Sequence, residues 1–265
     1  MLYAAVAAGG FRRYATYRVA TAAGVFTNTV FGFIVAYTFR ALWEVRPHLG
    51  GYDQRQALTF VWITQALLAA VALLAGGGID ELQERIRSGD VAVDLLRPGD
   101  LQLWWLAADL GRAAFQLLGR GVAPMVAGSL VFPLAFPGGW LPWLGFAVSV
   151  VLAVVVSFAL RYLVTLTSFW LLDGAGVSQA AGLLCLFFSG TLLPLTVFPH
   201  GLGEVAAALP WAAVLQVPAD VFLGARSGDS LVAGLVFQAG WAVALLLTGR
   251  AVQALATRRV VVQGG

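Results

Sequence analysis

The chain has 265 residues, 60% of them hydrophobic and 11% charged, against roughly a quarter charged in an ordinary soluble domain, which argues against a soluble fold. All sixteen basic residues are arginines, giving a net charge of +3, yet they are scattered between apolar runs and do not cluster on one solvated face as nucleic-acid binding needs. The one cysteine, Cys185, lies in an apolar run from Gly182 to Gly190 and offers neither a disulfide framework nor metal-ligand spacing.

Residues 1–18 mix apolar side chains with Tyr3, Phe11, Arg12, Arg13, Tyr14, Tyr17 and Arg18. This suits a helix lying in the headgroup layer, or a positive flank to the span that follows. Arg12 and Arg13 before an apolar run also resemble a twin-arginine leader, but a leader should precede a soluble domain and here further apolar runs follow. A helix crossing the roughly 30 Å hydrocarbon core needs about 20 mostly apolar residues. Charge-free stretches place the first two spans at about 19–39 and 56–79.

Next comes a polar segment, 80–100. Asp80, Glu81 and Glu84 favour the positive N-terminal end of a short helix, Arg85 and Arg87 its negative C-terminal end, and Gly89 can end it. Ile79, Leu82 and Ile86 then share one face. Such an amphipathic helix between two spans fits docking to a cytoplasmic partner; a solvated connecting loop fits the spacing as well.

Leu101 to Arg120 is rich in Trp, Leu and Phe but carries Asp109 and Arg112 one turn apart, a spacing that allows pairing at i, i+3. The pair either lines a polar opening to a translocation path or forms a structural pair at the membrane surface. Between Arg120 and Arg161 lie forty uncharged residues punctuated by Pro133, Pro137, Gly138, Gly139 and Pro142. These read as two spans, about 113–136 and 143–165, with Trp140 and Trp143 at the interface. Arg161 either snorkels to the inner surface or faces a cavity.

A fifth span fits about 174–199 and a sixth about 230–249. Between them, 200–229 is cut by proline and glycine: Ser189-Gly190 and Pro194 lead into Phe198-Pro199, Leu209-Pro210 and Pro218 to Gly224. This pattern predicts a broken helix followed by re-entrant pieces, buried in protein or facing a cavity because lipid offers the backbone no partner. His200, Glu204 and Asp220 are the polar groups nearest to it, and surface positions are the simpler expectation for them. The fold class is thus all-α: a polytopic integral membrane protein of about six spans, with an interfacial N-terminal helix and a re-entrant segment before the last span.

Basic residues near span ends are retained in the cytoplasm. With the N-terminus inside, Arg12, Arg13, Arg18, Arg85, Arg87, Arg97, Arg112, Arg120, Arg161, Arg250, Arg258 and Arg259 fall on the inner side, and Arg40, Arg46, Arg55 and Arg226 outside. Both termini are therefore expected in the cytoplasm. The arginine-only basic set points to a GC-rich bacterial genome.

Two segments carry a family resemblance: Gly78-Ile79-Asp80 to Gly99-Asp100 with its Leu-Leu-Arg-Pro ending, and Ser189-Gly190 to Phe198-Pro199 followed by Leu209-Pro210 and Phe222-Leu223-Gly224. Over essentially the whole chain the sequence resembles the permease subunits of ABC type-2 exporters, in the bacterial multidrug or viologen-type export subfamily. The resemblance implies a permease paired with itself or a sister permease over two ABC ATPase subunits. Asp80, Glu81, Glu84, Arg85 and Arg87 would couple to the ATPase. Asp109, Arg112, Pro194, Pro199 and Pro210 are the pathway or gate candidates. It implies no catalytic residue, metal or cofactor in this chain, ATP and magnesium being held by the partner. In agreement, no G-x-x-x-x-G-K-[ST] motif and no lysine occur.

Three other classes compete. An intramembrane enzyme would need a nucleophile and base, but His48 and His200 fall outside the expected spans and no H-E-x-x-H or G-x-S-x-G motif is present. An ion-coupled secondary transporter would place carboxylates near the bilayer midplane, where the expected spans have none. A non-transporting membrane assembly protein would bind no ATPase.

Overall fold

The computed structural model describes residues 1–73, 78–171 and 174–257. Among these, every regular element is helical. Arg258 and Arg259, placed on the inner side by the arginine count, lie outside the described residues, as do 74–77 of the expected second span.

Among the described residues, four helices are long and apolar enough to cross a membrane. They are α2 (Arg18–Val45), the continuous run of α6 (Leu101–Gln116) and α7 (Val122–Val131), α8 (Trp140–Leu166) extended to Phe169, and α12 (Asp229–Ala256). At 1.5 Å per residue, 28 residues reach about 42 Å, more than the hydrocarbon thickness. Two shorter helices, α3 (Gln54–Leu68) and α9 (Ala175–Phe188), occupy the places of the expected second and fifth spans. A bent pair, Gly201–Ala208 with Pro210–Phe222 at 66°, raises the count among the described residues, by length and composition, to five at most, against the six expected. The difference has a physical cause. Charge-free length measures apolarity but not helical continuity, and α3 leaves the helix through turns in which Ala72 has φ +48°, while α9 stops before Gly190 at φ +88°.

The third expected span, 113–136, is shifted. Its helix begins twelve residues earlier, at Leu101, because the Asp100 side chain accepts the Leu103 N–H at 2.8 Å as an N-cap. A π-turn at Leu117–Gly121 joins α6 to α7, and the helix ends at Val131 in an extended strip around Pro133. That strip is pinned to α3: Arg55 donates to the Leu134 carbonyl at 2.7 Å, and the Ala135 N–H donates to Thr59 Oγ1 at 2.8 Å.

The N-terminal helix α1 (Leu2–Ala15) lies against α6 at backbone contact distance. A Cβ on Gly111 would sit 1.8 Å from the Ala7 carbonyl oxygen, and one on Gly10 2.3 Å from that of Ala108. Glycine is what allows this approach. The largest core cluster gathers the C-terminal end of α3, the middle of α8, α11 (Gln216–Phe222) and α12 around Leu67, Val154, Val156 and Phe222.

Residues 212–222 are buried without exception. Irregular backbone within a membrane must be enclosed by protein in this way. Gln238 of α12, itself fully buried, serves the break: its Nε2 donates to the carbonyls of Ala213 at 2.8 Å and Ser149 at 3.1 Å, and its Oε1 accepts the Ser149 hydroxyl.

Candidate functional site

The polar segment after α3 folds as two short helices, α4 (Gly78–Ser88) and α5 (Val91–Leu95). Ile79, Leu82 and Ile86 share the buried face of α4 and pack with Val91, Trp105, Phe158, Tyr162 and Leu166. The helix is therefore seated on α6 and α8 by its apolar stripe, and its polar face points away from them.

The five charged residues of α4 divide by role. Glu81 accepts from Arg13 of α1 at 2.5 Å, and hydrogen bonding to Glu81 raises the pKa of the Arg13 guanidinium. Arg85 reaches back to Asp94 of α5, with Nε at 2.5 Å and Nη2 at 2.9 Å. Asp94, with no side-chain exposure, also receives Arg97 at 2.9 Å. Hydrogen bonding to Asp94 raises the pKa of the Arg85 guanidinium. Arg97 in turn lies over the Trp104 ring at 5.0 Å, a cation–π contact. The Arg85–Asp94–Arg97 clasp thus fixes α5 to α4 and to the start of α6. Asp80, Glu84 and Arg87 remain exposed, and Glu84 and Arg87 form no ion pair among the described residues.

Beside Glu84 and Arg87 in the chain come three exposed apolar side chains: Val93 at 59%, Leu95 at 37% and Leu96 at 85%. Leu95 and Leu96 open the Leu-Leu-Arg-Pro sequence. A rigidly held pair of short helices showing charges and bare leucine to the outside has the build of a docking face.

Asp109 and Arg112 lie in the second half of α6, and both are buried, at 3% and 2%. Arg112 Nε donates to Asp109 at 2.7 Å, and its Nη atoms donate to the carbonyls of Ala69 and Ala70 at 2.8 and 2.6 Å. These carbonyls belong to the turn leaving α3, where a helix has carbonyls without partners and a negative dipole end. Arg161 of α8 donates to the other Asp109 oxygen at 2.7 Å, and the Ser157 hydroxyl donates to the Val71 carbonyl. The pair is therefore a buried anchor for the end of α3. Arg161 also lines a cavity of 150 Å³ with Ile79, Asp80, Gln83, Ser178 and Cys185, which decides between the two positions open to it in favour of the cavity.

At the opposite end of the bundle the proline-cut segment is knitted by Gln216. Its Oε1 accepts the Leu195 N–H at 2.9 Å, its Nε2 donates to Asp220 and to the Tyr52 hydroxyl at 2.9 Å each, and its own N–H donates to the Ser189 carbonyl. The Tyr52 hydroxyl donates to Asp220, and Arg226 stands 3.5 Å from the second Asp220 oxygen. Asp220 is 6% exposed, contrary to the surface position expected for it. Its charge is held by three neighbours at the cost of leaving solvent. Gly190 is required here, since a Cβ would lie 2.7 Å from Gln216 Oε1. Pro194 and Pro210 are buried, whereas Pro199 is exposed and precedes α10 (His200–Ala208).

Sequence reasoning did not find Asp94, Arg97, Gln216, Tyr52 or Gln238. Signals existed for Arg97, in the Leu-Leu-Arg-Pro ending, and for Asp94, whose partners Arg85 and Arg97 are nine and three positions away; Tyr52, Gln216 and Gln238 bond across long sequence separations that one sequence does not display. Residues 24–264 match the family described as ABC-2 family transporter protein. No curated protein and no solved structure matches the chain.

Proposed function

The chain belongs to the ABC-2 family of transporter proteins, and on that premise we propose that it is the permease subunit of an exporter driven by ATP hydrolysed on separate ABC ATPase subunits. The observation that carries the reading is the α4–α5 unit. Its apolar stripe is buried against α6 and α8, so a push on its outer face moves two long helices. That outer face presents Glu84, Arg87 and Leu96. In this reading α4 and α5 dock into the ATPase, two permeases pair over two ATPases, both termini are cytoplasmic, and the segment 200–229 closes the far end of the pathway. The chain itself binds no nucleotide and catalyses nothing. Membership of the viologen-type subfamily is part of the same proposal, as is a location in a bacterial inner membrane.

Ion-coupled transport finds less support, because Asp109 is already held by two guanidiniums and is not open to exchange a cation.

The test is co-purification. The chain is expressed with the ABC ATPase encoded beside its gene, extracted in mild detergent and assayed for a stoichiometric complex that hydrolyses ATP. Charge reversal at Glu84 and Arg87 together should abolish the complex. A folded chain that binds no ATPase contradicts the proposal.

A further inference from the structure

The cavity beside Arg161 is walled by one face of each of three helices. On α8 the wall residues Ser157, Leu160, Arg161 and Val164 follow one another at i, i+3, i+4 and i+7, and on α9 Ser178, Ala181, Gly182 and Cys185 do the same. Ile79, Asp80 and Gln83 of α4 form the third side. The small side chains of α9 leave the space open. Its volume is 150 Å³, and an apolar cavity of about that size accommodates benzene.

The two ends of the cavity differ. Where α8 stops and α9 starts, a Cβ on Gly174 would lie 2.8 Å from Gln83 Nε2 and 3.1 Å from Ser168 Oγ. Gln83, Thr165 and Ser178 gather at this end with Asp80. Toward the middle of α8 the wall turns apolar, with Leu73, Leu160, Cys185 and Trp211.

The side chains of Asp80, Gln83, Thr165 and Ser178 form no hydrogen bond or ion pair among the described residues. Thr165 carries the most weight, being 3% exposed. Thr21, Thr38, Thr59 and Thr64 turn their hydroxyls back onto the carbonyl four residues earlier; Thr165 does not. Buried hydroxyls in native proteins are nearly always paired, and the cavity is the space from which a partner can reach this one. The two charged wall residues are unlike each other. Arg161 is engaged by Asp109 and Ser157, whereas Asp80 has no counter-charge, so the charge left to be matched is negative.

We propose that this cavity binds a small primary amine carrying an apolar body the size of one ring. The ammonium donates to Asp80, and its remaining N–H groups donate to Thr165 Oγ1 and to Ser178 Oγ or Gln83 Oε1. The ring lies against Leu160, Cys185 and Trp211. Because Asp80 and Gln83 belong to α4, the occupant ties that helix to α8 and α9. This site goes beyond the transporter reading, and its test needs no ATPase, so the two fail separately.

Cys185, the one cysteine of the chain, is a built-in reporter on the cavity wall. The full chain in dodecyl maltoside is treated with methyl methanethiosulfonate, whose methylthio group joins Cys185 Sγ as methanesulfinate leaves, and the reaction is followed by intact mass. 2-Phenylethylamine should slow it saturably, with half-protection at about one tenth of the concentration that its isostere 2-phenylethanol requires, the discrimination expected of a charge-assisted contact. Phenylacetate should protect less than the alcohol. Asp80→Asn should erase the preference for the amine, and Glu204→Gln, an exposed carboxylate on α10, should leave it intact. Thr165→Val removes a hydroxyl that the fold does not use, and should raise the half-protecting concentration of the amine by about threefold, the worth of one neutral hydrogen bond. Equal protection by amine and alcohol in the wild type overturns the proposal even if Asp80→Asn does not fold. So do protection by phenylacetate that matches the amine, an unchanged amine response in Thr165→Val, and a Cys185 that the reagent never reaches.

Discussion

At the residue scale the decisive distinction is between charges that serve the fold and charges left for a partner. Asp109 neutralises two arginines in a buried place. Its removal strands both, and breaking a buried pair costs about 3–5 kcal/mol. Asp109→Asn should therefore lower the thermal unfolding temperature in detergent by many degrees or abolish folded yield, whereas Arg13→Ala, at an exposed pair, should shift stability by less than about 1 kcal/mol. Leu96, at 85% exposure, contributes almost nothing to the isolated chain. Leu96→Asp should change its stability by no more than about 0.5 kcal/mol and still prevent ATPase association. A large loss of thermal stability in that variant would mean the leucine is a packing residue. The sequence alone displayed Asp109 and Arg112 as an i, i+3 pair, but their use as an anchor for the α3 carbonyls depends on residues some forty positions away, which spacing does not reveal.

At the element scale, apolar periodicity was legible and breaks were only partly so. The amphipathic stripe Ile79, Leu82, Ile86 was read from the sequence and is the buried face of α4. The proline and glycine positions marked the broken segment before the last span, and the 66° bend lies at one of them, Pro210. The length of α3 was not legible, because the residues after Leu68 are as apolar as those before it and the chain leaves the helix at Ala72 without glycine or proline. Two predictions belong here. Gln238→Leu leaves the Ala213 and Ser149 groups without their partner, and an unsatisfied buried group costs about 1–3 kcal/mol; thermal unfolding should show that loss. Gly111→Ala drives a Cβ into the Ala7 carbonyl, so α1 should lift from α6 and be cut by trypsin at Arg12 or Arg13 faster than in the wild type.

At the scale of the whole molecule, the long helices form a frame with a buried polar knot at each end: Asp109, Arg112 and Arg161 with the end of α3 at one, and Tyr52, Gln216, Asp220 and Arg226 at the other. The α4–α5 unit is attached at the first knot, since Ile79 and Asp80 share a cavity wall with Arg161. A displacement of α4 is thus applied beside the group that holds α3, α6 and α8 together, which gives the coupling proposal a mechanical path. Asp94→Asn would loosen the clasp that makes α4 and α5 one body. The central claim, that this body docks into an ATPase, is tested most directly by placing a photo-cross-linker on it: Leu96→p-benzoylphenylalanine, co-expressed with the ATPase and irradiated in native membranes. The account predicts a cross-link to the ATPase, lost when Glu84 and Arg87 are reversed in charge. Cross-links to lipid alone, in membranes where the ATPase is present and the chain is folded, would contradict it.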